Sequence, residues 1–192
     1  MKKTKPSNRD VVLRTAMTLF LTRGYLTTSI DDIVAASKVA KTNIYYYFKS
    51  KDELLAAILD GLIAAYNEKM QDIFARQELK VYERFALFLK EVATPEDSSL
   101  AGCPFLTLYT QLPPEAEPLR RKVGAFFEAQ TAAVEAMLHE GIRNGEFAAQ
   151  LPVPAVAGLI VSTIEGALFL QHARQNPALL EQTLITLALL LK

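Results

Sequence analysis

Apolar residues recur every three to four positions along most of this chain, the spacing that places them on one face of an α-helix. Between Val12 and Phe20 they form one such stripe. Gly24 follows, and glycine commonly ends a helix because it accepts the left-handed conformation without steric cost. No stretch shows the strict alternation of a half-buried strand. The pattern therefore predicts an all-α protein.

Three short helices are predicted near the N-terminus, and most of the later helices are longer. Ser7 and Asp10 have the spacing of a capping box and begin a helix that runs to about Thr22. Thr28 is predicted to cap a second helix. A third helix covers about residues 41–48, and Ser50 caps a long fourth one. The later helices are predicted over 79–93, 104–112, 119–144, 154–175 and 177–191, with a loop over 94–102.

This division predicts two domains, an N-terminal three-helix domain over residues 7–67 and a C-terminal helical bundle over residues 68–192. Two short helices joined by a tight turn at 37–39 have the layout of a helix-turn-helix DNA reader. The second helix of such a pair presents its first residues to base edges in the major groove. Here these residues are Lys41, Thr42 and Asn43, and all three side chains can bond to bases.

Three consecutive tyrosines, Tyr45, Tyr46 and Tyr47, follow in the same helix. A helix turns by about 100° per residue, so at least one or two of these rings must face outwards, where a phenol can bond a phosphate. Lys51 lies in the first turn of the next helix, where the helix dipole disfavours a cation, and a nearby phosphate would explain it. Thr28 can offer its hydroxyl to another phosphate.

The charge distribution agrees with a polyanionic partner at one end of the chain. The formal net charge is zero, but residues 1–56 hold ten Lys or Arg and five Asp or Glu, a net charge of +5. The remainder carries a net charge of −5. A basic head on an acidic body predicts that double-stranded DNA binds at the N-terminal end.

Together these residues resemble the DNA-binding domain of the TetR family of bacterial transcription regulators. The resemblance is carried by Arg9, Ala16, Leu19-Phe20, Gly24-Tyr25, Thr28-Ser29-Ile30, Ile33-Val34, Val39-Ala40-Lys41, residues 44–51 and Leu54. It implies that eight residues contact DNA: Thr28, Lys41, Thr42, Asn43, Tyr45, Tyr46, Tyr47 and Lys51.

Two residues depart from the family pattern. Lys38 stands where the family usually has a turn glycine, which predicts a positive φ at a small cost. Ala40 stands where the family usually has a Ser or Thr cap. Its side chain cannot cap the recognition helix, a loss of roughly 1 kcal/mol.

The last two predicted helices are apolar nearly all round, and such helices are buried on every side. The terminal pair of a chain of 192 residues needs a partner to achieve this. A two-fold four-helix interface would cover them, and the resemblance implies the same homodimer. Two reading heads on a two-fold axis predict a palindromic operator.

The resemblance also implies a pocket for a small-molecule effector in the C-terminal bundle. The candidate lining residues are Tyr66, Phe88, Cys103, Phe105, Tyr109, Phe127 and Thr163. A plain hydrophobic core is the alternative interpretation for each of them. Glu165 is interpreted as a packing or interface residue, because Glu165-Gly166 resembles a recurring family feature. The sequence thus predicts a repressor that an effector releases from DNA.

Other functions receive less support. The single cysteine, Cys103, excludes an internal disulfide and favours a reducing compartment, and no signal peptide follows the basic start, which predicts a cytoplasmic, nucleoid-associated protein. The longest apolar tract, Val153 to Val161, is too short to span a bilayer. His139 and His172 lack the spacing of metal ligands, and no nucleophile–base pair or cofactor motif is present, so we expect no metal, no cofactor and no enzyme.

Two alternatives remain at the level of sequence. One is an architectural DNA-binding protein without an effector. The other is a redox or electrophile sensor that acts through Cys103, since a thiol at the start of a helix has a lowered pKa. The competing interpretation of Cys103 is a small buried residue.

Overall fold

The computed structural model describes residues 6–93 and 102–190, which form nine α-helices and no strand. They are α1 Asn8–Thr22, α2 Ile30–Ser37, α3 Lys41–Tyr47, α4 Lys51–Phe74, α5 Val81–Ala93, α6 Pro104–Thr110, α7 Glu117–Arg143, α8 Val153–Ala173 and α9 Leu179–Leu190. The all-α prediction is confirmed in these ranges. The basic start of the chain, which contains Lys2, Lys3 and Lys5, and nearly all of the loop predicted over 94–102 lie outside these ranges.

Backbone contacts group the helices into two compact units that do not follow chain order. The first unit holds α1, α2, α3, the part of α4 up to Ala64, α6, and α7 up to Val123. The second holds the rest of α4 and α7 together with α5, α8 and α9. The first unit thus contains a short helix from far along the chain. The domain boundary at residue 67 stays a prediction.

Short-range signals determine where the first helix begins and ends. The Ser7 hydroxyl accepts from the backbone N–H of Asp10, and the Asp10 carboxylate accepts from the backbone N–H of Ser7. Arg23 is the C-terminal cap residue, and Gly24 follows with a φ of 104°. A residue with a Cβ would be strained at this φ, so the glycine makes the sharp exit possible.

In the core of the first unit, α1 packs against α2 and α3. The buried residues of α1, Val12, Ala16, Leu19 and Phe20, form the predicted stripe. Ile33 of α2 and Ile44 of α3 are fully buried, and α1 packs on α2, α3 and α6. Burial of a side chain of this size contributes about 1.5–3 kcal/mol. The short helices are therefore held by packing on α1, since a helix of seven or eight residues is unstable alone.

The second unit has its own hydrophobic core. It is built from the end of α4, α5, the second half of α7, α8 and α9 and includes Phe88, Leu138, Ile164 and Leu180. Arg84 is buried beside this core, where it pairs with Glu140 and donates to the carbonyl of Phe74, 2.9 Å away. Removing either charge of such a buried pair would leave the other uncompensated.

Helix α8 differs from the sequence prediction in one respect. It is 21 residues long and, by length and composition, the one helix in the described ranges that could cross a membrane. The predicted apolar tract, Val153 to Val161, is the first part of this helix, which continues to Ala173, and Pro154 sits in its first turn. Proline is tolerated at this position because the first N–H groups have no partner within the helix. One side of α8 packs into the core of the second unit.

Candidate nucleic-acid interface

The turn between α2 and α3 depends on Lys38. Its φ is 60° and its ψ is 17°, the left-handed region, and its backbone N–H donates to the carbonyl of Val34, 3.0 Å away. The positive φ predicted for the residue that replaces glycine is confirmed. This conformation ends α2 and turns the chain into α3 within a few residues.

Two buried residues decide which face of α3 is exposed. Ile44 and Phe48 lie in the core of the first unit, as predicted from their spacing of four. Lys41, Thr42 and Asn43 are therefore exposed at the start of the helix. Tyr45 is 46% exposed and Tyr46 is 84% exposed, so the prediction that tyrosines face outwards is confirmed. A ring with most of its surface in water has room for a phosphate or sugar neighbour.

Tyr47 and Lys41 each contact a neighbour. The Tyr47 ring lies edge-on to the Tyr46 ring with centroids 5.3 Å apart, and it also contacts Phe48. The Lys41 ammonium lies 2.7 Å from a carboxylate oxygen of Asp31 in α2, and both side chains are largely exposed. Asp31 raises the pKa of Lys41 through this contact. Water screens an exposed pair, so the lysine can exchange its partner for phosphate at low cost.

Helix α3 has no side-chain cap. Ala40 is its N-cap residue and makes no side-chain hydrogen bond, which confirms the prediction for this position. Its carbonyl accepts from the N–H groups of Asn43 and Ile44, at 2.9 and 3.2 Å. The N–H groups of the first turn thus lack the side-chain acceptor that a Ser or Thr would supply.

The cap prediction for the preceding helix was wrong by one residue. Ser29 is the N-cap of α2 and forms a capping box with Asp32. Thr28 is 2% exposed, and its hydroxyl donates to the carbonyl of Gly24, 2.7 Å away. Both Ser29 and Thr28 lie three residues before an aspartate, so spacing alone could not separate them. The Thr28 hydroxyl is therefore hydrogen-bonded within the protein, whereas Ser29 is exposed.

Lys51 also has partners within the protein. Its ammonium donates to the carbonyls of Tyr25 and Thr28, at 2.9 and 3.1 Å, and lies 4.4 Å from the centre of the Tyr25 ring. Burial lowers the pKa of Lys51. These contacts explain why a cation lies in the first turn of a helix, a position for which the sequence alone predicts a phosphate partner. Lys51 thus ties the turn before α2 to the start of α4.

Tyr25 forms hydrogen bonds to two other segments of the first unit. Its hydroxyl donates to the Asp52 carboxylate, and burial followed by this bond raises the pKa of Tyr25. Its backbone N–H donates to Oε1 of Gln111, 2.6 Å away, just beyond the end of α6. Arg120 of α7 donates to the Leu112 carbonyl and to the Tyr109 hydroxyl. The turn before α2 is therefore bonded to α4 and to the segment after α6.

One cation near α3 was missed as a candidate contact. The guanidinium carbon of Arg9 in α1 lies 5.4 Å from the centre of the Phe48 ring, and Arg9 is exposed. Arg9 was recognised as part of the family pattern, but its position beside the end of α3 depends on how α1 packs. A helix-dipole or spacing argument cannot supply this contact, because 39 positions separate Arg9 from Phe48.

The candidate effector residues are distributed over both units. Phe105 and Tyr109 belong to the first unit. In the second unit the Tyr66 ring meets Phe88 and Phe126 edge-on, at centroid distances of 6.0 and 5.0 Å. Phe126 in turn meets Phe127 at 5.3 Å. Thr163 lies elsewhere, in a groove between α8 and α9 that is lined by Leu159, Thr163, Gln182, Thr183, Thr186 and Leu187.

Polar groups surround the Tyr66 hydroxyl. Gln130 donates to it through Nε2, 2.8 Å away. The Cys103 thiol donates a hydrogen bond to the Glu165 carboxyl, and burial raises the pKa of that carboxyl. Burial, followed by the nearby Glu165 and Cys103, raises the pKa of Tyr66 although the Gln130 bond opposes it. Oε1 of Gln130 and Oε2 of Glu165 are buried without a hydrogen-bond partner among the described residues.

Comparison with known proteins gives the class of this molecule. Residues 12–58 match the model for bacterial regulatory proteins of the tetR family, and residues 81–187 match the tetracyclin repressor-like C-terminal domain. The helix-turn-helix head and the helical body thus both match one family of regulators. The chain belongs to the TetR family of bacterial transcription regulators.

Individual relatives agree with this membership. The fatty acid metabolism regulator protein of Bacillus subtilis is 26% identical over 167 residues, covering 86% of this chain and 83% of that protein. The crystal structure of Escherichia coli NemR in its reduced form superposes with a TM-score of 0.81 at 19% identity, covering 93% of this chain and 95% of that one. FadR from Bacillus subtilis in complex with stearoyl-CoA gives 0.75 at 23% identity, with coverage of 95% and 97%. The relatives are regulators of transcription, not enzymes.

Proposed function

We propose that this protein is a homodimeric repressor that binds a palindromic operator through α3 and is released by a small-molecule effector bound in its second unit. The observation that carries the DNA-binding part is the exposed surface of α3. Lys41, Thr42, Asn43, Tyr45 and Tyr46 all lie there, held in place by the buried Ile44 and Phe48.

The proposed contacts divide into two groups. Thr42 and Asn43 read base edges, and Lys41 reaches a base or a phosphate after leaving Asp31. Tyr46 and Tyr47 bond to the phosphate backbone together with Ser29 and Arg9, while Tyr45 lies along a sugar edge. Thr28 and Lys51 serve this interface by positioning the turn before α2, because their polar atoms are bonded within the protein.

We further propose that α8 and α9 form the dimer interface. Leu159 and Phe169 of α8 are 53% and 60% exposed, and Ile185 of α9 is 57% exposed. Exposed apolar side chains at this density on adjacent helices favour a protein partner. A second copy of the same two helices would cover them symmetrically, and two heads on a two-fold axis require two half-sites. The protein acts in the cytoplasm, at the nucleoid.

Selection from random DNA tests this function. The purified full chain is incubated with a library of random duplexes, and bound DNA is amplified and sequenced over several rounds. The expected result is an inverted repeat whose half-sites lie about one helical turn or a multiple apart. Enrichment of no sequence would leave an architectural DNA-binding protein, and failure to retain any DNA would refute both functions.

The effector part is supported by the second unit and by the relatives. Two buried acceptor atoms of this unit have no hydrogen-bond partner among the described residues, and the FadR relative holds stearoyl-CoA. Such a ligand acts by preferring a conformation whose heads no longer match the half-sites, and operator affinity falls by that difference in binding energy. Compounds that release the selected operator in a fluorescence anisotropy assay would identify the effector.

The thiol-sensor alternative receives less support from the geometry. Cys103 is 8% exposed and donates to the Glu165 carboxyl. Reactive cysteines lie in electropositive, partly exposed surroundings, because these stabilise the thiolate. A buried thiol beside an acid lacks both features, so its surroundings do not stabilise the thiolate. Alkylation of Cys103 in the folded protein should therefore be much slower than in urea, and an equal rate would restore the alternative.

A further inference from the structure

We propose that the effector is an apolar molecule that carries an amine, whose N–H groups donate to Gln130 Oε1 and Glu165 Oε2 beside Tyr66. This inference rests on the proposed effector function and specifies the chemistry of the same ligand. It depends on three features of the second unit: unpaired acceptors, an acid and an aromatic surface.

The unpaired acceptors are the first feature. Gln130 is 5% exposed, and its Nε2 is already used in the bond to Tyr66, which leaves Oε1 without a partner among the described residues. Glu165 Oε2 also has no hydrogen-bond partner among the described residues. A buried polar atom without a partner costs about 1–3 kcal/mol, so most such atoms have one in the functional state of a protein. Gln130 Oε1 accepts hydrogen bonds, and Glu165 Oε2 does so when the carboxyl is ionised, so a ligand that serves both atoms must donate.

The position of these acceptors is the second feature. Gln130 bonds directly to the Tyr66 hydroxyl, and Glu165 is close enough to influence the ionisation of that hydroxyl. Cys103 donates to the same carboxyl. The acceptors therefore belong to one polar cluster formed by α4, α7 and α8 and by the residue just before α6. A ligand that donates hydrogen bonds at this cluster would satisfy buried acceptors that have no partner among the described residues.

The sign of the charge is the third feature. Among the residues in the cluster, Glu165 is the one that can carry a charge at neutral pH, and burial makes its carboxylate costly. An ammonium group offsets this cost, whereas a carboxylate or phosphate would add a second negative charge. The Tyr66 ring, which carries the hydroxyl of this cluster, meets Phe88 and Phe126 edge-on, and aromatic rings suit an apolar body and a cation.

Matched ligands of one chain length test this chemistry. Decylamine, decyltrimethylammonium and decanoate share an alkyl body, and they present an N–H cation, a cation without N–H, and an anion. Isothermal titration of the full-length dimer is performed below micelle-forming concentrations, and release of labelled operator is followed in parallel. Decylamine is expected to bind at least about tenfold tighter than decanoate, with decyltrimethylammonium in between.

Two variants locate the site. Glu165→Gln removes the ionisable charge and replaces one carboxylate oxygen by an NH2 donor, and Gln130→Met removes the acceptor Oε1. Each is expected to weaken decylamine binding by about tenfold or more while decanoate binding does not fall. Glu128→Gln, at an exposed position two residues before Gln130, is the matched control and should bind decylamine like the unmodified protein. If Glu165→Gln fails to fold, Gln130→Met alone carries the test.

The outcomes separate this inference from the proposed function. Decanoate binding as tightly as decylamine, or undiminished decylamine binding by both variants, would overturn the amine assignment. Binding of no ligand would do so as well, because ordered water would then satisfy the acceptors. In each case, operator binding by the ligand-free protein would leave the regulator function intact. Absence of operator binding would refute that function, and the titration would still report on the amine.

Discussion

The backbone N–H of Tyr25 donates to Oε1 of Gln111, 2.6 Å away, across 86 residues of sequence. This bond joins the turn that precedes α2 to the segment that follows α6. The same turn is bonded to α4 through Lys51 and through the Tyr25 hydroxyl. The position of the helix-turn-helix relative to α1 and α4 therefore depends on a side chain that enters the unit from the C-terminal half of the chain.

Replacing this side chain tests its contribution. Gln111→Leu leaves the partly buried Tyr25 N–H without an acceptor, and we expect the free energy of unfolding to fall by about 1–3 kcal/mol. Urea denaturation followed by circular dichroism measures the change. Gln150→Leu, in an exposed loop, is the control and should differ little from the unmodified protein. Equal stability of both variants would show that water replaces Gln111.

Tyr45 and Lys51 should behave differently on substitution. Tyr45→Ala removes an exposed ring, so operator affinity should fall while stability stays within about 0.5 kcal/mol. Lys51→Ala removes two hydrogen bonds to carbonyls and a contact with the Tyr25 ring, so stability should fall by about 1–3 kcal/mol along with operator affinity. The dimer should persist in both.

Gel-shift titration and thermal unfolding on the same preparations separate the two effects. Unchanged operator affinity in both variants would refute their assignment to the interface. Unchanged stability of Lys51→Ala would instead favour a direct contact of this lysine with phosphate, as expected from its place in the first turn.

The uncapped start of α3 offers a gain in stability. Ala40→Ser supplies an oxygen that can accept from the N–H of Thr42 or Asn43, and we expect about 1 kcal/mol of added stability. Differential scanning calorimetry should show the midpoint rise, whereas Ala149→Ser in an exposed turn should not change it. A midpoint that falls on Ala40→Ser would mean that the serine distorts the turn at Lys38.

Glu165 makes stability depend on pH. Burial raises its pKa above the ordinary value in the folded protein, so the folded state holds this proton more tightly than the unfolded state does. The stabilising contribution is present below the unfolded pKa and is lost as pH rises through the folded value. A glutamine at this position does not ionise, so the Glu165→Gln variant does not lose this stability as the pH rises. The variant should therefore be more stable than the unmodified protein at pH 8, and the difference should shrink towards pH 4.

Thermal unfolding of both proteins across this pH range, with Glu128→Gln as an exposed control, measures the effect. A constant difference between the Glu165→Gln variant and the unmodified protein at all pH values would mean that Glu165 does not titrate in this window.

The proposed dimer interface has a direct test. Ile185→Glu places a charge on the exposed apolar side of α9, where desolvation in an interface would be costly. Light scattering after size exclusion should report a monomer for this variant and a dimer for the unmodified protein. Gln150→Glu adds the same charge at an exposed loop and should stay dimeric. A dimeric Ile185→Glu variant would place the interface elsewhere.

Features that depend on neighbours within four residues could be read from the sequence. The helical periodicity and the capping box of Ser7 and Asp10 belong to this group, whereas the positive φ of Lys38 and the uncapped Ala40 were predicted from the family resemblance. The exposed surface of α3 also belongs to this group, because the spacing of Ile44 and Phe48 determines which residues face away from the core. Backbone geometry links such positions directly, so their identities alone predict the local structure.

Tertiary structure decided the roles of residues whose partners are far away in the chain. Lys51 bonds to Tyr25 and Thr28 rather than standing free beside the DNA site, and Gln111 reaches Tyr25 from beyond α6. Tyr66, Gln130 and Glu165 form one polar cluster although they come from three different helices. The hydrogen-bond partners of these residues depend on packing, because a buried polar side chain can bond only to groups that the fold brings next to it. The local pattern of this sequence thus determined which side chains α3 exposes, and the folded chain decided what holds that helix and which buried acceptors lie near Tyr66.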